Sequence, residues 1–156
     1  MTVEKSIKKQ VFSKMAALCS RSEQCSPDIR KKIIAAGLSN EEAEEILKLL
    51  KKEKFIDDER YAKAYVTEKF KFNQWGRIKI RYNLRVKGLS DEVIEAGLEL
   101  LDEEKYIEIL LKTMKEKAKK SGGKSKFEKM VHIVRFVQSR GFESELINRY
   151  INEVVK

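Results

Sequence analysis

An internal repeat constrains the fold of this 156-residue chain more than any other feature of its sequence. Three segments align on Gly37, Gly88 and Gly141, which lie 51 and 53 residues apart. In each segment apolar residues stand eight and four positions before the glycine, and an apolar residue and an acidic segment follow it. Such a repeat predicts a tandem array of similar units that bury their apolar faces against one another.

The first copy carries clear signals for the ends of two helices. Ser26 is predicted to be an N-cap, with Pro27 at the first helical position and the helix ending at Gly37. Ser39 and Glu42 have the spacing of a capping box for the next helix. By homology within the chain, the other two copies contain the same pair of helices, and Ser90 caps the later helix of the second pair.

The stretch RIKIRYNLRVK, residues 77–87, is apolar at every second position, a pattern typical of a half-buried strand. The repeat overrides this interpretation, because the stretch occupies the place of a helix that ends at Gly88. On a helix the alternation becomes two apolar stripes on either side of a ridge of arginines. The stripes are Ile80 with Leu84, and Ile78 with Tyr82 and Val86; the ridge is Arg77, Arg81 and Arg85.

A further periodic apolar segment precedes each pair, so each repeat is predicted to contain three helices. The segments include Ile7, Val11, Met15 and Leu18; Tyr61, Tyr65 and Phe72; and Tyr106, Ile109, Leu110 and Met114. The predicted fold is therefore all-α: three tandem three-helix repeats that form an elongated, curved array. The predicted boundaries are residues 1–56, 57–102 and 103–156.

Charge is sorted along this array. The net charge is +9, and the middle pair is divided between a basic helix and an acidic one. This division predicts a one-sided basic surface that binds a polyanion or an acidic protein, rather than helix faces that are merely solvated. The candidate binding residues are Arg77, Lys79, Arg81, Arg85 and Lys87, with a secondary basic surface of Lys31, Lys32, Lys124, Lys126, Lys129 and Arg135.

Several classes of function lack a sequence signal. His132 is the only histidine and is expected to be a surface or boundary residue. With a single histidine far from the cysteines, the chain lacks the ligand spacing of a zinc site, so no metal site is predicted. It also lacks a glycine-rich phosphate-binding loop, so no nucleotide cofactor is predicted. No catalytic constellation can be assembled, and an enzyme is not expected. No apolar run approaches the roughly 20 residues that span a bilayer, and no signal peptide is recognised. A cytoplasmic protein with Cys19 and Cys25 reduced is expected.

The join between the first two repeats reads KFIDDERYAKAYV, and here the chain resembles the RecX family of bacterial recombinase regulators. The resemblance continues through the next helix and weakens beyond about Leu101. It rests on Phe55, Ile56, Asp57, Asp58, Arg60, Tyr61 and Ala62 in the join, and on Gly76, Ile80, Leu84, Lys87 and Gly88 after it.

The resemblance implies three tandem three-helix repeats and a protein that is not an enzyme. It further implies binding along the groove of the RecA filament, inhibition of its ATPase and strand exchange, and in some relatives a contact with DNA. A monomer is expected. The alternative is a free-standing DNA-binding protein whose basic helix enters the major groove, with Asn73, Gln74 and Arg77 placed to read base edges.

Three features of the signature region and of the third repeat have competing interpretations. Asp57 or Asp58 is predicted to cap the fourth helix, and Arg60 to hold a neighbouring carboxylate and fix the angle between repeats. Trp75 is interpreted as a plug between helices, although it could stack on a base. The segment SGGKSK, residues 121–126, is predicted to be a flexible, exposed basic loop.

Overall fold

A computed structural model of the protein describes residues 2–155, with side chains described from Ser6 onward, and this part of the chain contains nine α-helices and no strand. The helices are α1 (Thr2–Arg21), α2 (Ser26–Ala35), α3 (Asn40–Lys52), α4 (Asp58–Asn73), α5 (Arg77–Lys87), α6 (Asp91–Leu98), α7 (Glu103–Lys119), α8 (Lys126–Ser139) and α9 (Ser144–Val154). The all-α prediction is confirmed, and residues 77–87 are helical.

The helix ends follow the local signals of the repeat. Gly37, Gly88 and Gly141 come after α2, α5 and α8 with φ of 100°, 99° and 91°, a left-handed conformation that favours glycine. Ser39 and Glu42 form the predicted capping box of α3. At α6 the Ser90 hydroxyl accepts a hydrogen bond from the Val93 N–H.

One helix start differs from the prediction. Cys25, not Ser26, is the N-cap of α2, and Ser26 is the first helical residue, followed by Pro27. The reason lies in the next repeat, because the Ser26 N–H donates to Asp58 Oδ1 at 2.7 Å and its hydroxyl donates to Oδ2 of the same carboxylate. The free backbone N–H at the start of α2 is therefore bonded to a carboxylate of α4 rather than to the side chain of its own N-cap.

The buried side chains form two clusters. One cluster lies within α1, α2, α3 and the segment after them, and includes Ile29, Ile33 and Leu50. The other spans α4 to α9, so the second and third helix triplets share a single core. At its centre the Tyr106 ring lies between Phe70 and Phe142, with ring centroids 5.6 and 5.3 Å apart.

The stripe predicted along α4 is only partly correct. Phe72 is 76% exposed and contributes nothing to the core, whereas Ala62, Val66 and Phe70 are buried and Tyr61 and Tyr65 are half-buried. The buried positions Ala62, Val66 and Phe70 are spaced by four, so they form one face of α4, and the Ala62 end of this face packs against α6. A small residue suits this interface because Gly97 of α6 lies directly against Ala62.

Candidate interaction surface around the fifth helix

The N-terminal end of α5 is joined to the third triplet by backbone contacts between two glycines. The Gly76 N–H donates to the Arg140 carbonyl at 2.7 Å, and the Ile78 N–H donates to the Gly141 carbonyl at 3.0 Å. A Cβ on Gly76 would lie 2.5 Å from the Gly141 carbonyl carbon and from the Phe142 nitrogen. Only glycine allows the two turns to approach this closely.

The C-terminal end of α5 contacts the first triplet. A Cβ on Gly88 would lie 3.3 Å from the Pro27 side chain, and Lys87 Nζ is 3.1 Å from Asp28 Oδ2. Burial lowers the pKa of Lys87, but the hydrogen bond to Asp28 and the neighbouring Tyr61 outweigh it and raise the pKa overall. Helix α5 therefore touches both neighbouring triplets.

The predicted signature residues link the first two triplets. Asp57 is the N-cap of α4 and accepts from the Arg60 N–H at 3.0 Å, whereas Asp58 bonds Ser26 as described above. The Arg60 guanidinium is 2.5 Å from Glu23 and also donates to two backbone carbonyls, those of Lys54 and Phe55. As predicted, Arg60 holds a neighbouring carboxylate, and it ties the start of α4 to the segment between α1 and α2.

The three arginines of the predicted ridge do not share one environment. The Arg77 side chain is only 19% exposed, lies 3.8 Å from the centroid of the Tyr106 ring, and donates to Glu143 at 2.8 Å. It also pairs with Glu103. These partners belong to the third triplet. Hereafter the joint means the contact between the N-terminal end of α5 and the third triplet, and Arg77 is a structural residue of this joint.

Tyr106 completes this joint. Its hydroxyl accepts from the Arg77 N–H at 2.9 Å and donates to Glu143. Burial raises the pKa of the Tyr106 hydroxyl, and the bond to Glu143 raises it further, so this group remains a donor. The N-terminal end of α5 is thereby covered by the third triplet. In a DNA-binding helix of this kind the N-terminal end must be open to the major groove, so Arg77 is not placed to read base edges.

Arg81 and Arg85 are more accessible. Arg81 forms two bonds to Glu95, at 2.7 and 3.4 Å, and the hydrogen bond from Arg81 lowers the pKa of Glu95. Arg85 is 3.0 Å from Asp91, and both side chains of that pair are mostly exposed. Sequence reasoning placed these arginines on one face but did not identify the acidic partners, which lie at the start and middle of α6.

Lys79 lies beside the half-buried Trp75. Its Nζ is 4.5 Å from the centroid of the indole ring, and Lys69 lies on the same ring at 5.2 Å. Trp75 packs against the shared core, which agrees with its interpretation as a plug between helices. Lys79 is thus a cation held near the N-terminal end of α5.

The second apolar stripe of α5 is largely exposed. Ile78, Tyr82 and Val86 are 50%, 66% and 65% exposed, whereas Ile80 and Leu84 are fully buried. Hereafter the outer row means Ile78, Tyr82 and Val86. Periodicity predicted two stripes but could not tell which one packs against the core.

The predicted secondary basic surface is divided between two triplets. Lys31 and Lys32 are exposed on α2, and the other four residues lie on α8 or just before it: Lys124, Lys126 and Arg135, which are exposed, and Lys129, which is half-buried. Beside α8 lies an open groove of about 500 Å³ whose lining includes Lys117, Lys124, Phe127, His132 and Arg135. The structure therefore places a basic groove with an exposed aromatic ring in the third triplet.

The loop before α8 is exposed from Gly122 to Lys126, but Ser121 is buried and its hydroxyl donates to the Lys117 carbonyl. The prediction that residues 121–126 are exposed is therefore wrong at its first residue, which closes the last turn of α7. Ser125 is the N-cap of α8 and accepts from the Glu128 N–H.

Residues 57–98, the second helix triplet, match a family model described as RecX, second three-helix domain. The chain contains a RecX three-helix domain. Proteins named regulatory protein RecX match over most of this chain: that of Clostridium tetani is 28% identical over 137 residues, and that of Clostridium acetobutylicum 27% identical over 148 residues. The resemblance to the RecX family is confirmed.

The chain covers 62% of the Clostridium tetani RecX and 67% of the Clostridium acetobutylicum RecX, so it spans roughly two thirds of these relatives. Against the RecX of Prosthecochloris aestuarii, 27% identical over 133 residues, it covers 85% of both chains. Two solved RecX structures share the fold. RecX from Lactobacillus salivarius has a TM-score of 0.88 at 21% identity, over 96% of this chain and 97% of that one. The second has a TM-score of 0.87 at 23% identity, over 96% and 75%.

The described residues contain neither a candidate membrane span nor a candidate metal cluster. None of their helices has both the length and the apolar character needed to cross a bilayer. Among the same residues, no group of three or more histidine, cysteine, aspartate or glutamate side chains is placed to hold a metal ion. Cys19 and Cys25 are free thiols, and burial raises the pKa of Cys25 to about 11.

Proposed function

We propose that this protein is a non-catalytic regulator that binds the RecA recombinase filament and inhibits its ATPase and strand exchange. The observation that carries the proposal is the RecX domain at residues 57–98, which contains α5. The relatives named regulatory protein RecX support a regulatory role.

The contact with the filament is proposed to involve the accessible part of the ridge. Arg85 lies on the solvent side of α5, Arg81 is half-buried beside it, and each is paired to one carboxylate of α6. An exposed ion pair such as Arg85–Asp91 contributes little to stability, so an acidic partner can replace its intramolecular carboxylate at small cost. Arg77 is left out of the proposed contact because its guanidinium is paired with Glu103 and Glu143 of the third triplet.

The experiment is co-sedimentation of the full chain with recombinase filaments assembled on single-stranded DNA, beside DNA alone and recombinase alone. We expect the protein to sediment with filaments and to lower their ATPase rate. Replacing Arg81 and Arg85 together by glutamine should weaken filament binding about tenfold or more and reduce its salt dependence. The matched control is Lys51→Gln with Lys52→Gln, which removes two exposed charges at the end of α3, outside the predicted binding surfaces.

Two results would contradict the proposal. If the protein binds DNA alone as well as it binds filaments, the recombinase does not contribute to binding. A protein that sediments with filaments but leaves the ATPase and strand exchange unchanged would bind without inhibiting.

A second candidate function, direct contact with single-stranded nucleic acid, is favoured by the groove beside α8. Phe127 is 75% exposed there, and Lys124 and Arg135 are exposed at the same groove. The Lys124 ammonium lowers the pKa of His132, so the imidazole is neutral near pH 7 and the groove owes its charge to lysine and arginine. Aromatic rings beside cations bind single strands by stacking and by phosphate contacts.

The test is the binding of a fluorescent single-stranded oligonucleotide at several salt concentrations. Phe127→Leu keeps an apolar side chain and removes the stacking ring, and should weaken binding about fivefold or more. Lys124→Gln with Arg135→Gln should reduce the logarithmic salt slope by roughly one to two. If both variants bind like the parent, the groove is not a nucleic-acid site.

A further inference from the structure

The outer row of α5 stands apart from the rest of the packed structure. Its three side chains recur every four residues, so they form one line on the helix, and that line faces away from the buried Ile80 and Leu84. Apolar residues scattered singly on a surface need no explanation, but three large ones in line form a patch of the kind found at interaction sites.

Comparison with the other two repeats shows that the fold does not require this row. The same positions, counted from the glycine that ends each helix, hold Pro27, Lys31 and Ala35 in α2 and Val131, Arg135 and Ser139 in α8. The central position is an exposed cation in both of those repeats and Tyr82 in the middle one. Since two repeats fold with a cation there, the tyrosine and its apolar neighbours serve something other than folding.

Charge defines the kind of partner that would cover the row. Arg81 and Arg85 border it on one side and Lys79 on the other, and α5 contains no acidic residue. A polyanion would neutralise these borders but leave Ile78 and Val86 without apolar contacts. A protein surface that presents apolar residues between carboxylates satisfies both the row and its borders.

We propose that the outer row docks against an acidic amphipathic segment of the recombinase protomers in the filament. This inference rests on the proposed function and names the part of α5 that makes the contact. Tyr82 is the central anchor, because a tyrosine buries a large ring and keeps its hydroxyl at the wet edge of an interface. Arg85 exchanges its exposed partner Asp91 for a carboxylate of the docked segment.

The test exchanges the row for the residues that α8 holds at the same positions, with Tyr82→Arg and Val86→Ser in one variant. This variant gains a positive charge, so a purely electrostatic contact should be unchanged or stronger. Docking through the row instead predicts that affinity for filaments falls about 10- to 100-fold, with the urea midpoint close to that of the parent. The matched control is Leu49→Arg, which puts an arginine in place of an exposed apolar residue of α3, outside the proposed binding surfaces, and should leave this affinity within about twofold.

A second measurement keeps the test independent of the folding of that variant. A photo-reactive phenylalanine analogue at position 82 should cross-link to recombinase when filaments are present, and the same analogue at position 49, on α3, should not. A cross-link to the DNA strand alone, or none from position 82, would overturn the inference.

The outcomes separate this inference from the proposed function. If the parent sediments with filaments and the exchanged variant sediments equally well, the row is not the contact, although the function stands. If the variant loses affinity for naked DNA but not for filaments, the row contacts nucleic acid and the inference is wrong. If the parent itself does not sediment with filaments, both proposals are overturned.

Discussion

Replacing Gly141 by alanine is expected to lower the free energy of unfolding by about 3–4 kcal/mol. An alanine there would adopt a left-handed φ of 91°, and its Cβ would lie 2.5 Å from the Lys79 nitrogen and 3.0 Å from the Lys79 Cα. The atoms in the way belong to the first turn of α5, so the joint between the second and third triplets must open to accept the methyl group. A urea titration followed by circular dichroism measures the loss.

Gly37→Ala is the matched control for this prediction. Gly37 ends α2 with nearly the same φ, 100°, but a Cβ built there meets no atom within 4 Å. Its replacement should therefore cost only the backbone strain, about 1–2 kcal/mol. Equal losses for the two variants would show that the close approach of the Gly76 and Gly141 turns adds nothing to the strain.

These two glycines also show how much of the fold the sequence could predict. The repeat aligned Gly37, Gly88 and Gly141, and all three take the left-handed conformation at a helix end. Local signals of this kind depend on a few neighbouring residues, so they predicted the helices, most of their caps and the absence of a strand at residues 77–87. They carried no sign that Gly141 meets Gly76, because that contact joins turns 65 residues apart.

The periodicity of α5 and α4 was informative but incomplete. It identified two apolar stripes on α5, yet the choice between burying Ile80 with Leu84 and burying the outer row depends on where α4, α6 and α7 lie. In α4 the buried line includes Ala62, which a search for large apolar residues passes over, and Phe72 was placed in the core instead. Comparing the three repeats position by position would have marked the outer row, since Lys31 and Arg135 occupy the place of Tyr82.

The arginine ridge shows the same limit for charged residues. Spacing by four predicted that Arg77, Arg81 and Arg85 lie on one side of α5, which holds for the backbone. It did not predict that Arg77 reaches Glu103 and Glu143, which are 26 and 66 residues away. Helix geometry predicts which residues of one helix are neighbours. Ion-pair partners on other helices depend on how the helices pack, which the spacing does not reveal.

Replacing Arg77 by glutamine is expected to lower the free energy of unfolding by about 2–3 kcal/mol, and replacing Arg81 or Arg85 by less than about 1 kcal/mol. Without the Arg77 cation, the half-buried Glu143 keeps only its bond to Tyr106, and the Tyr106 ring loses the guanidinium stacked on its face. Arg85 and Asp91 stay in water when either is removed, so their loss is small. Urea midpoints of the three single variants provide the comparison.

The double-mutant cycle of Arg77→Gln with Glu143→Gln tests whether this loss comes from the pair itself. A coupling of about 1–2 kcal/mol that changes little between low and high salt is expected, because a partly buried pair is screened less than an exposed one. A loss for Arg77→Gln no larger than that for Arg85→Gln would show that Arg77 is not a structural residue of the joint.

The distinction matters for the proposed function, because a variant that removes all three arginines would weaken the joint together with any binding surface. Of the three arginines, only Arg81 and Arg85 can be changed to measure filament binding without disturbing how the third triplet is held.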